Sequence, residues 1–222
     1  MIPNRILSRM IIFYVMRSVY YFDNNKKSTK KTLLVLNHSR FLMDLVPLSK
    51  EGSLNLLILP ERVQTRINSL FLNLSLVYEA QEYIQKNKEC VDLVFFINRM
   101  IKSINKKYNL CGMLSCSFYY GQDYPYIFSS VKSVPFYSLF KEYMIDDILV
   151  DLTTVRYKKN QYKFFGDTIF IANNALKKIL INASVCDEKQ LLTVGSPRFD
   201  EIFDSDKLYL KKNRNQITLF SF

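Results

Sequence analysis

A single histidine, His38, occurs in 222 residues, which excludes a histidine-rich metal centre. Cys90, Cys111, Cys116 and Cys186 form no CxxC pair and no secreted-scaffold spacing. They read as free, mostly buried thiols of a reducing cytoplasm. No GxGxxG follows the first apolar run, which argues against NAD or FAD, and neither a GxxxxGK[ST] phosphate loop nor a GxSxG nucleophile elbow is present. No cofactor and no metal are expected. Long hydrophobic runs are scarce as well: Met10–Met16 is too short to cross a bilayer, and Arg17 interrupts it before a signal-peptide core matures.

The composition that remains is globular and basic. Hydrophobic residues make up 49% and aromatics 14%, enough for one good core, but the length is short for two full Rossmann-type domains. Lysine and arginine total 31 against 20 acids, a formal charge of +11. That excess favours phosphorylated metabolites, polyanions or an anionic membrane face. Nucleic acid is not the expected partner. The clusters Lys26, Lys27, Lys30, Lys31 and Lys207, Lys211, Lys212, Arg214 flank structured segments, and neither a zinc-finger spacing nor an RNP-type aromatic motif accompanies them.

Along the chain, Met1–Phe22 reads as a basic, aromatic helix that either lies in the headgroup plane of an anionic membrane or packs on its own domain. After a lysine-rich connector the pattern becomes strand and helix in alternation. Thr32–Leu36 and Leu54–Leu59 read as strands covered on both faces, each followed by a helix, with Gly52 as the first stop. Tyr83–Tyr108 carries the longest helical periodicity. Strands are expected at Leu110–Tyr119, Val134–Phe140, Asp167–Ala172 and, buried, at Leu191–Val194, with Asn173 or Asn174 capping a short helix over Ala175–Asn182. Asp123 is expected to cap a helix over Pro125–Lys132. The expected fold class is α/β, a Rossmann-like doubly wound parallel sheet of about six strands. Residues 32–204 form the domain, 1–31 the N-terminal helix and linker.

The segment Gly195-Ser196-Pro197-Arg198 breaks from the last strand and presents an arginine past its end, where ligands sit in open α/β sheets. The alternative is that Arg198 and Asp200 brace a domain exit. The run Gly166-Asp167-Thr168-Ile169-Phe170-Ile171-Ala172-Asn173, followed by Val194-Gly195-Ser196-Pro197-Arg198-Phe199-Asp200, resembles the close of the N-terminal domain in bacterial surface-polysaccharide biosynthesis proteins. That group is similar to GT-B glycosyltransferases, nucleotide-sugar 2-epimerases and CDP-glycerol glycerophosphotransferases. The resemblance is firmest over Leu110–Asp200 and looser over Thr32–Leu72.

The resemblance implies an acceptor-side domain of a glycosyl- or glycerophospho-transferase whose strand-end loops face an interdomain cleft. Its donor, a nucleotide sugar or CDP-alditol, would need a second domain; its acceptor would be a glycan or lipid-linked, in the cytoplasm or at the inner face of the membrane. By that match His38 is the candidate base, and Glu142 the strand-terminal acid. Asn37, Ser39, Arg40, Lys141, Ser196 and Arg198 are the candidate acceptor- or phosphate-binding residues. Each has a plainer alternative: His38 bonded to a loop carbonyl, Lys141-Glu142 a solvated pair. The histidine-glycine motif of the glycerophosphotransferases is missing, and the acids of the 2-epimerases have no counterparts residue by residue. Residues 205–222 read as a charged linker and the first strand of a missing second domain, or as a strand that adds to the existing sheet. Two other readings stay open: a non-catalytic domain binding phosphorylated glycan or protein, and half of a nucleotide-sugar 2-epimerase.

Overall fold

The structure, a computed structural model, describes residues 5–22, 31–36, 38–71, 88–118, 128, 131–140 and 147–199. Two mostly apolar hexads set its centre. In β2 (Lys31–Leu36) and β3 (Leu54–Leu59) every residue after the first is buried, and the two strands pair in parallel over their full length. The helix between them, α2 (Leu42–Glu51), stops where expected, because Gly52 takes the left-handed conformation with φ 78°. The chain then continues through α3 (Glu61–Phe71), α4 (Lys88–Tyr108), β4 (Leu110–Ser115), β5 (Phe136–Leu139), α5 (Asp147–Lys159), β6 (Thr168–Ile171), α6 (Asn174–Asn182) and β7 (Leu191–Thr193). The Asn173 side chain caps α6 by accepting the Leu176 amide at 2.9 Å.

The fold class is α/β with a mostly parallel sheet, consistent with a Rossmann-like fold. Seven strands are found among the described residues, in the order β1-β3-β2-β4-β5-β6-β7. The extra one is β1 (Tyr20–Tyr21), which adds antiparallel to β3 directly after α1 (Arg5–Ser18). The whole of Met1–Phe22 therefore does not continue as helix. Tyr20 and Tyr21 pair with Ile58 and Leu57, and the strand propensity of a Tyr-Tyr pair at an open sheet edge outweighs the helical pattern before it.

The strand order fixes which face each helix covers. The chain steps from β2 to β3 in one direction and then, from β3 through β7, always in the other. With crossovers of one hand, α2 must lie on the opposite face from the later helices. Packing agrees. Val15 of α1, Val63 and Ile67 of α3, Leu93 and Met100 of α4 and Leu176 and Ile179 of α6 bury against the face of Leu34, Leu36, Met113 and Ile169. Phe41 and Leu45 pack on the other face, against Leu33, Val35, Leu56, Ile58 and Leu114. Over β4, β5 and β6 that second face has no helix among the described residues. Along β4 and β5, Leu114 and Leu139 on this second face are buried all the same.

At the last strand the sequence reading needs correction. β7 is an edge strand and not a buried one: Leu192 is 51% exposed and Val194 49%. Among the described residues it has one neighbour, β6, so apolar character alone does not bury it. The chain leaves it through Gly195, φ 78°, and a 3-10 turn, Pro197–Phe199, that packs on α2. The helix expected over Pro125–Lys132 and the strand expected in Gln216–Phe222 lie outside the described residues, Phe128, Val131 and Lys132 of the former excepted.

Candidate functional site

Parallel strands present their C-terminal ends along one rim, and a ligand crevice is expected where the chain leaves neighbouring strands in opposite directions. Here that switch point lies between β2 and β4. The residues after β2 form a 3-10 turn, His38–Phe41, anchored by the buried Phe41 ring. The turn sets His38, half-buried, and Ser39 and Arg40, both exposed, on this rim.

His38 is held by an element that sequence reasoning did not supply. Its Nε2 lies 3.3 Å from the hydroxyl of Tyr20 in β1, and the two rings meet edge to face at 6.3 Å. Its Nδ1 is buried and has no hydrogen-bond partner among the described residues. Burial pushes the imidazole below its ordinary value of 6.5, and the Glu61 carboxylate pulls weakly the other way. The ring is therefore neutral near pH 7. With the proton on Nε2 and directed to the Tyr20 oxygen, Nδ1 keeps its lone pair, but that atom is buried, so the turn must shift before an acceptor hydroxyl can reach it.

Ser39 donates its hydroxyl to Glu61 Oε2 at 2.7 Å. Glu61 opens α3 immediately after β3, so its carboxylate sits at a helix N-terminus where the backbone dipole favours it. The sequence signal for Glu61 was present, an acid directly past an apolar strand, but the pair Pro60-Glu61 also reads as an ordinary helix start.

Ser196 and Arg198 come to a different place. Arg198 faces Asp44 in the first turn of α2, with Nε donating to Oδ1 at 3.0 Å and a terminal nitrogen donating to Oδ2. The Ser196 hydroxyl adds a longer contact to Oδ1 at 3.4 Å. Asp44 is fully buried, while the Arg198 side chain keeps 29% exposure. Its planar fork is matched to a carboxylate of this chain, so the exit segment is fastened across α2 as a strap. A phosphate at the rim would have to compete with Asp44 for it. The plainer alternative for Arg198, a brace at the domain exit, describes this contact.

The structure thus joins His38 to Tyr20 and Ser39 to Glu61, sets the exposed Arg40 on the same turn, and joins Ser196 and Arg198 to Asp44. Asn37, Lys141 and Glu142 lie outside the described residues. No group of three or more acids, cysteines or histidines placed to hold a metal occurs among the described residues.

These features define a mostly parallel α/β domain with a polar rim at its switch point, a neutral imidazole at the centre of that rim. No family model, curated protein or solved structure matches the chain.

Proposed function

We propose that the chain is the acceptor-side domain of a GT-B-like glycosyl- or glycerophospho-transferase in surface-polysaccharide assembly. The observation that carries the reading is the turn at the C-terminal end of a central parallel strand, where a neutral imidazole, His38, stands beside the exposed Ser39 and Arg40 at the switch point of the sheet. In this reading His38 takes the proton of an acceptor hydroxyl, and Arg40 binds acceptor phosphate from the same turn. A nucleotide-sugar or CDP-alditol donor would be held by a second domain.

A peripheral site at an anionic membrane face suits a lipid-linked acceptor, and α1 supports it. Leu7, Met10, Phe13 and Tyr14 are exposed on this helix, which carries Arg9 and Arg17 and no acid. Among the described residues no helix is long and apolar enough to cross a membrane. The burial of His38 Nδ1 favours a second reading, a non-catalytic domain that binds phosphorylated glycan, because a base must present its lone pair to the acceptor hydroxyl.

The test uses the single histidine as a probe. Glucose 1-phosphate and a glycan phosphate are titrated into the chain while the His38 ring resonances are followed by NMR, and UDP-glucose is titrated calorimetrically. Acceptor-type phosphates should shift His38, and UDP-glucose should bind weakly or not at all. Tight UDP-glucose binding, or a His38 signal unmoved by either phosphate, would overturn the proposal. In a two-domain enzyme, loss of turnover in His38→Gln supports catalysis, and wild-type turnover moves the assignment to the binding reading.

A further inference from the structure

The face of the sheet on which α2 packs holds a cavity of about 560 Å³ that the rim chemistry does not use. Its floor is apolar, built from Leu33, Leu114, Leu139 and Phe170 on four adjacent parallel strands. Leu48 of α2 forms one wall, and Val194 and Pro197 of the exit segment another. The Arg198–Asp44 pair holds that second wall against α2. Its size lies within the range of roughly 300–1,000 Å³ typical of small-molecule sites.

The polar groups gather at the N-terminal ends of the strands. Lys31 stands exposed at the head of β2 and is the one charged side chain among the described residues of the lining. Cys111 sits in a β-bulge: Thr32 pairs with Leu110 and Leu33 with Gly112, so Cys111 is the extra residue. The bulge turns its side chain toward this face, where the thiol donates to the Thr32 carbonyl at 3.3 Å. Tyr137 lies across Gly112, the residue whose lack of a side chain leaves room for the ring. Burial raises both the Cys111 thiol and the Tyr137 phenol, so both are neutral at pH 7. Asp167 acts on Tyr137 from outside the lining, where its carboxylate accepts the Phe136 amide at 2.8 Å.

The geometry points to a binding site for a single-chain amphiphile with an anionic head, its hydrocarbon tail on the sheet and its head at Lys31. Charge complementarity selects the head: among the described residues of the lining there is one ammonium and no acid, in a chain of net charge +11. The apolar floor selects the tail, since a fully polar ligand would leave its hydrogen bonds unmade there. This site is separate from the rim of His38, so either assignment stands without the other.

The chain contains no tryptophan, so Val194→Trp on the exposed edge places a unique fluorophore in the cavity wall. 12-Bromododecanoate, below its micelle concentration, should quench this emission saturably, with dodecanoate competing. Across the C8 to C12 carboxylates each methylene should tighten Kd up to about fourfold. Lys31→Met should weaken dodecanoate about two- to fivefold, the range for an exposed ion pair, and leave 1-dodecanol unchanged. Dodecyl phosphate in place of dodecanoate tells which head is preferred, and tighter binding of either anion than of dodecyltrimethylammonium supports the site. Absence of saturable quenching, affinity independent of chain length, or equal binding of the cationic amphiphile would overturn it. Calorimetry of dodecanoate with the wild-type chain repeats the test without the substitution.

Discussion

Replacing Arg198 by methionine tests how the exit segment is held. The substitution keeps most of the side-chain volume but removes the fork that faces a fully buried carboxylate. Breaking a buried pair from one side costs about 3–5 kcal/mol, because the remaining charge stays desolvated. Arg198 is 29% exposed, so water reaches the vacated space and the lower end, about 3 kcal/mol, is the expected value. Against a total stability of roughly 5–15 kcal/mol this is a large fraction. At about 2–4 °C per kcal/mol for a chain of this length, Tm should fall by about 6–12 °C. Far-UV circular dichroism during thermal and urea unfolding measures both quantities. Asp44→Leu combined with Arg198→Met removes both charges and should restore most of the loss, since apolar replacement of a buried pair is often near neutral. The loss should also change little between low and high salt, because buried charges are poorly screened. A single substitution costing under about 0.5 kcal/mol, as at an ordinary surface site, or a double variant as unstable as the single one, would refute the strap.

Two glycines make a contrasting pair. Gly195→Ala meets nothing within 4 Å and should cost only the left-handed backbone term at φ 78°, about 1–2 kcal/mol by urea unfolding. At Gly112→Ala the new β-carbon would lie 2.9 Å from Tyr137 Cδ2 and 3.2 Å from Leu33 Cδ1, so overpacking of about 1–3 kcal/mol is expected. Adding Tyr137→Leu should recover that loss and leave the Gly195 cost untouched. The His38 ring should titrate below 6.5 by NMR. Because the unfolded chain takes up this proton first, the His38 contribution to stability is complete above about pH 6.5 and declines as pH falls toward the folded value. His38→Gln should flatten that part of the stability profile; a midpoint at or above 6.5 would contradict the burial argument.

Much of the sheet is readable from local pattern. The hexads at Lys31–Leu36 and Leu54–Leu59 and the left-handed stop at Gly52 follow from periodicity and turn chemistry, which are encoded within a few residues. The edges were harder. A run such as Leu191–Val194 states that a strand is apolar and says nothing of how many neighbours it has. Tyr20–Tyr21 is too short to show a period of its own. In the candidate site, His38, Ser39 and Arg40 were legible because a polar cluster directly follows a strand. Asp44 was not, although an acid inside Leu42-Met43-Asp44-Leu45-Val46 is a local anomaly: the partner that explains it is 154 residues away. The cavity was hidden for a related reason. Sequence marks both faces of β4 and β5 as apolar, and only the direction of successive crossovers decides which face receives a helix.

Among the described residues the two outermost members of the sheet are stubs, β1 of two residues and β7 of three. A foreign strand docking along either would form only a few ladder bonds before running past the end of its template. Short margins of this kind discourage stacking of one copy onto the next, a self-association hazard inherent in a row of unpaired amides and carbonyls. Extending β7 by replacing Gly195 with a strand-favouring residue would therefore be expected to increase self-association in proportion to the length of edge it exposes.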